Sequence, residues 1–119
     1  MMLSRRKPSR SGIERAAQRT FPRHRQWVRG FQCAVQNDDC GGDIECAHVR
    51  SGTNGGMGLK PGDEWCIPLC RDHHHEQHTI GEMAFEKLYG IDMKVLARGL
   101  ARNSPVQEVR QRVNESEKP

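Results

Sequence analysis

The sequence predicts a small α+β fold in which two short strands and a helix are stapled by a metal ion, with further helices at the flank. Three observations predict it. Only 34% of the 119 residues are hydrophobic, and a core that small usually needs a staple. The five cysteines Cys33, Cys40, Cys46, Cys66 and Cys70 are an odd number with no secretion signal before them, which argues against a disulfide framework and for clustered metal ligands. Residues 70–78, CRDHHHEQH, crowd one cysteine and four histidines into nine positions. The run is interior and interrupted, unlike a purification tag.

The length fits one domain. Residues 1–30 carry nine Lys/Arg against one acid, and residues 31–119 carry ten against fourteen, so a +8 arm precedes a −4 body. That asymmetry suggests a phosphate-rich partner, or simply a solubilising tail. No apolar run reaches membrane-spanning length, and a cytoplasmic protein is expected. Three segments follow: a basic, disordered arm (1–20), a central metal-stapled domain (21–93), and C-terminal helices with a tail (94–119).

Each element has its own signal. FPRHRQWVRG reads as a helix with Pro22 in its first turn and Gly30 past its end, burying Trp27 and Val28. FQCAVQNDDCGG reads as strand and turn, since Asn37-Asp38-Asp39 and Gly41-Gly42 are turn chemistry. DIECAHV alternates as a short strand with Ile44, Cys46 and His48 on one face. RSGTNGGMGLKPGD is a Gly-rich loop, and EWCIPLC is a second strand that Pro68 keeps short or at an edge. RDHHHEQH makes two helical turns. Thr79 and Glu82 fit a capping box for a further helix with Met83, Phe85 and Leu88 inward and Gly90 closing it. Asp92 caps MKVLARGLAR, with Val95, Leu96 and Leu100 inward. Ser104-Pro105 opens the last helix, PVQEVRQRV.

The metal ligands fall into two sets. Cys33 with Cys40 flanks a turn, and Cys70 with His73 forms a C-x-x-H pair where strand meets helix. Together they make a Cys₃His set, the closed tetrahedral pattern of structural zinc. The six-residue gap of the first pair is wide, and Cys46 is an alternative to either member. His74 and His78 are four apart and project from one helix face. They would hold a second divalent ion with positions open to water and substrate, as catalytic metals are. His75 and Glu76 read as solvent-facing. His48, on the preceding strand, is a candidate general base.

A strand with His48, a glycine-rich loop, a strand ending in IPLC, and a helix bearing His74 and His78 together resemble the ββα-metal core of HNH endonucleases. The stretch AHVRSGTNGGMGLKPGDEWCIPLCRDHHHEQHTIGEMAFEKLYGID is most similar to phage and prophage HNH-like proteins, including recombination-enhancement nucleases. The resemblance covers roughly residues 24 to 93. It implies that His48 activates water, that His74 and His78 hold the catalytic ion (Mg²⁺, Mn²⁺ or another divalent metal), and that Cys33, Cys40, Cys70 and His73 form a zinc knuckle. It implies DNA as the partner and leaves room for a recombinase. Phosphates would be gripped by Arg50, Lys60, Arg71 and the arm, with little sequence specificity.

Two positions depart from the family pattern. Ala47 stands where a further metal ligand often precedes the base, so Glu45, Asp63 or His75 would have to complete the site. Trp65 stands where an Asn is usual ahead of Pro-Leu-Cys, and Asp63 is the candidate to brace the loop instead. The alternative on the same fold is a non-catalytic zinc module that binds nucleic acid or protein.

Overall fold

The computed structural model describes residues 19–50, 53 and 61–116. The basic arm up to residue 18, residues 51–52 and 54–60 of the glycine-rich loop, Lys60 among them, and the tail residues 117–119 lie outside the described residues.

Pro22 supplies the first-turn geometry of helix α1, Pro22–Val28, as its fixed φ favours. His24 and Val28 are its buried residues, whereas Trp27 is only partly covered and stacks edge-on against Phe31. The next segment forms no strand. Its turn is built by Asn37, whose side chain accepts from the Asp39 amide (2.9 Å) while its carbonyl accepts from Cys40 (3.1 Å). A single backbone bond, Ala34 N–H to Pro68 O (2.8 Å), ties it to the sheet. Asx-turn chemistry overrides the short apolar alternation here.

Strand β1, Ile44–His48, pairs antiparallel with β2, Cys66–Cys70, in a register that sets Ile44 against Cys70 and His48 against Cys66. Every residue of β2 is buried, because α1 and the later helices cover the two-stranded sheet. Pro68 is tolerated since such a sheet has only edges. Helix α2, Arg71–Ile80, starts directly from β2 with Cys70 as its N-cap and lies against both strands.

The expected capping box does not form. Thr79 Oγ1 donates back to His75 O (2.9 Å), and Glu82 accepts from the Arg50 amide (2.7 Å). Gly81 instead breaks the chain at φ 92°, a conformation that side chains disfavour. Helix α3, Glu82–Tyr89, therefore turns Phe85 inward with Tyr89 one turn on. Met83 (81% exposed) and Leu88 face outward, contrary to expectation. Gly90 closes α3 in the left-handed region, as expected.

Asp92 caps α4, Met93–Arg102, by accepting from the Val95 amide (3.1 Å). The inward stripe of α4 is Met93, Ala97 and Ala101, at four-residue spacing; Val95 and Leu96 are exposed and Leu100 is half-buried. Alanines win the core-facing positions because they let α4 approach β2 and the last helix closely. That helix, α5, Gln107–Ser116, buries Val109 and Val113, and its entry is fixed by Ser104 Oγ accepting from Val106 N (3.0 Å). One apolar cluster runs from Phe21 through Ala47, Ile67, Leu69 and Phe85 to Val113. Among the described residues no helix is long and apolar enough to cross a membrane.

Candidate metal centre and cleft

Four side chains from two distant stretches of the sequence converge at the start of α2. Cys33, Cys40, Cys70 and His73 bring one ligand atom each within 4.8 Å of all the others. His73 Nδ1 lies 3.6 Å from Cys33 Sγ, 3.6 Å from Cys40 Sγ and 3.1 Å from Cys70 Sγ. The Asn37 turn delivers the first two sulfurs, and the strand-to-helix junction delivers the other two ligands. The amides of Gly41 and His73 both point at Cys70 Sγ (3.4 Å each), as they would at a thiolate. Burial opposes ionisation of Cys33, but backbone hydrogen bonds involving Cys70, Gln36 and Val35 outweigh it and hold the thiol below its ordinary range. The His73 ring meets Tyr89 edge-on at 5.3 Å, and Tyr89 in turn donates its hydroxyl to Glu76. The cluster could hold a metal ion. Cys46 takes no part in it; its thiol lies on β1 and approaches Arg25 O (3.2 Å).

A cleft of about 920 Å³ is lined by Arg25, Arg29, Glu45, Cys46, His48, Arg50, His74 and His78, among others. His48 from β1 and the histidine pair from α2 thus share one space. His74 Nε2 and His78 Nε2 are 3.2 Å apart. His74 Nδ1 lies 2.8 Å from Glu45 Oε1, which favours the proton on Nδ1 and leaves a lone pair on Nε2. Two imidazole nitrogens held this close require a shared proton or a cation between them.

His48 Nε2 lies 2.8 Å from Asp63 Oδ1. Asp63 is buried, and its other oxygen accepts from the Phe21 amide (2.7 Å) and faces Arg25 Nε (3.2 Å). Burial works against its ionisation. The hydrogen bonds from His48 and Phe21, and the charges of His48 and Arg25, outweigh that and hold the carboxyl below its usual range. When neutral, its partner His48 is steered to carry its proton on Nε2 and its lone pair on Nδ1.

The sequence offers Glu45, Asp63 and His75 as a third ligand for the histidine pair. Glu45 and Asp63 instead sit at ring nitrogens of His74 and His48, where they fix tautomers; His75 is exposed and outside the cleft lining. Ala47 is fully buried in the apolar cluster. Of the predicted phosphate contacts, Arg50 lines the cleft, whereas Arg71 packs over Gly42 beside Asp72, away from it. Lys60 lies outside the described residues. Sequence reasoning did not single out Arg25, on α1, or Arg29, at its C-cap, both of which line the cleft. Their signal was present as a four-residue spacing, which puts both on one helix face.

A relative in Escherichia coli (strain K12), the uncharacterized protein YdfU, is 37% identical over 81 residues, covering 67% of this chain and 22% of that protein. The chain thus spans about a fifth of the length of the curated relative it matches. No solved structure matches. Residues 11–105 match the family described as "Protein of unknown function (DUF968)", and the chain belongs to that family.

Proposed function

We propose that the chain is a metal-dependent HNH-type endonuclease that hydrolyses phosphodiester bonds in DNA with little sequence preference. The observation that carries this reading is the shared cleft. His48 and the His74–His78 pair line one space, with a carboxylate at one ring nitrogen of His48 and another at one ring nitrogen of His74. A hairpin followed at once by a helix bearing the pair is the arrangement the HNH resemblance implies.

The residues divide the work as follows. Asp63 holds the Nε2–H of His48, so Nδ1 can accept the proton of an attacking water. Glu45 holds the Nδ1–H of His74 and turns its Nε2 lone pair toward that of His78. These two nitrogens would hold a divalent ion, Mg²⁺ or Mn²⁺, whose chemistry is Lewis-acid stabilisation of the phosphate and of the leaving 3′-oxygen. Arg25, Arg29 and Arg50 supply positive charge for the backbone, so binding should weaken steeply with salt.

The Cys₃His cluster fits structural zinc. A tetrahedral zinc, with Zn–S about 2.3 Å and Zn–N about 2.0–2.1 Å, separates sulfur from nitrogen by about 3.5 Å. The three separations here, 3.1 to 3.6 Å, bracket that value. Such a zinc would lock β2, α2 and the Asn37 turn together. In the cytoplasm its thiolates would stay reduced.

A second reading, a zinc module that binds nucleic acid without cutting it, is favoured by Ala47. Its burial in the core leaves the histidine pair without the ligand that often precedes the base. Incubation of supercoiled plasmid with Mg²⁺, Mn²⁺ or Ni²⁺ separates the two. Nicking that falls about 100-fold or more in His48→Ala, with zinc content and DNA binding retained, supports the nuclease. Binding without cleavage under every metal supports the module.

A further inference from the structure

Behind the His48 ring the strands hold another group of ligand atoms. A ring nitrogen of His48, a carboxylate oxygen of Asp63 and Cys66 Sγ all lie within 4.8 Å of one another, and His48 Nε2 is 2.8 Å from Asp63 Oδ1. Asp63 and Cys66 are buried. The Cys46 and Cys66 thiols influence each other's ionisation, and Cys46 and His48 open the group to the cleft. The strand register explains the grouping. His48 faces Cys66 across the ladder, and Cys46 lies on the same face of β1, one step back. None of these residues belongs to the Cys₃His cluster. Two thiols, an imidazole and a carboxylate suit a soft or borderline cation and not Mg²⁺.

We propose that this group is a second, inhibitory site for a soft divalent cation such as Zn²⁺ or Cd²⁺, held by Cys66, His48 and Asp63 with Cys46 as the fourth donor. The inhibitory consequence rests on the nuclease reading above; the site itself does not. Opposite Asp63, His48 keeps its proton on Nε2 and offers Nδ1 to water. A cation on Nε2 takes that nitrogen's lone pair, so the neutral ring must carry its proton on Nδ1. The base thereby becomes a donor. The balance is simple. The cation displaces one proton from Cys66 and one from Cys46, the imidazole proton moves from Nε2 to Nδ1 through solvent, and no electrons transfer. Asp63 uses Oδ1, so Oδ2 keeps its hydrogen bond from the Phe21 amide and its ion pair with Arg25. The ligand atoms must close to about 3–4 Å of one another, a shift within reach of side-chain rotation.

Cobalt reports the site directly, because thiolate-to-cobalt charge transfer cannot arise from His74 and His78. The full chain, with zinc already in the Cys₃His cluster, is titrated with Co²⁺. One further equivalent carrying a charge-transfer band is expected in the wild type, and its loss in both Cys66→Ser and Cys46→Ser with zinc content unchanged. Half-exposed Cys46 guards against a folding defect at Cys66. In plasmid nicking with Mn²⁺, added Zn²⁺ should inhibit the wild type at least about tenfold more readily than Cys46→Ser. No second thiolate-bound equivalent, or equal uptake by both variants, overturns the proposal. Absence of nicking removes the nuclease reading alone, since the cobalt band still decides the site.

Discussion

Asp63→Asn is the sharpest perturbation of the cleft, because it changes charge and donor pattern with almost no change in volume. The Asp63 carboxylate faces three donors: the Phe21 amide at 2.7 Å and Arg25 Nε at 3.2 Å on Oδ2, and His48 Nε2 at 2.8 Å on Oδ1. An asparagine has one acceptor oxygen and one NH₂ group. The Phe21 amide is a backbone donor and the Arg25 charge favours an oxygen beside it, so the oxygen takes the Oδ2 position and the NH₂ faces His48. His48 can relieve the donor–donor clash only by moving its proton to Nδ1, which removes the base. The rate should then fall by about 10²–10⁴, nearly as far as in His48→Ala. Stability should fall by roughly 1.5–3 kcal/mol, as one charge-assisted hydrogen bond is lost from a buried site. Single-turnover nicking in saturating Mn²⁺ gives the first number and thermal unfolding the second. Nitrogen chemical shifts of the His48 ring give the tautomer independently of activity. An Asp63→Asn variant whose His48 ring keeps its proton on Nε2, or that cleaves at the wild-type rate, would refute the reasoning.

Other consequences follow from the same geometry. Cys70→Ser removes the cluster's central sulfur; since structural zinc contributes about 10–16 kcal/mol in small domains and whole domains have about 5–15 kcal/mol of stability, the variant should lose its zinc and its cooperative unfolding, as read by metal analysis and circular dichroism. Burial lowers the pKa of His24 from 6.5 to about 4, against the opposing charge of Asp63. The unfolded chain therefore binds a proton between those values that the folded chain refuses, so stability should drop as pH falls from 6.5 to about 4, by on the order of 2–3 kcal/mol, and His24→Gln should flatten that slope in denaturant titrations. Glu45→Gln weakens the orientation of His74 and should raise the Mn²⁺ concentration needed for half-maximal nicking about 10-fold or more, with the rate largely restored at saturation.

Local chemistry made much of this arrangement readable. Pro22, Asp92 and Gly90 mark helix boundaries by rules that act within one turn, and all three do so here. The Cys33–Cys40 and Cys70–His73 pairs were legible because few other roles bring those residue types together. Interior faces were harder. Val95 and Leu96 look like core residues, yet Ala97 and Ala101 occupy the core because α4 must pack closely against β2 and α5. Hydrophobicity alone does not report how near two backbones come. The Thr79–Glu82 pattern failed for a similar reason: Glu82 is drawn off by the Arg50 amide, a contact between distant parts of the chain. The partners of His48 and His74 were visible only as candidates, since the choice between metal ligand and tautomer-fixing carboxylate depends on which ring nitrogen each one meets.

The most direct test is anomalous diffraction from crystals of the full chain soaked in Mn²⁺, with data at the zinc and manganese edges. The account predicts two separate peaks. Zinc should lie among Cys33, Cys40, Cys70 and His73, and manganese should be held by His74 and His78 in the cleft that His48 also lines. Manganese bound elsewhere or not at all would contradict the catalytic cleft. A Cys₃His cluster free of zinc in protein purified without chelator would contradict the architectural one.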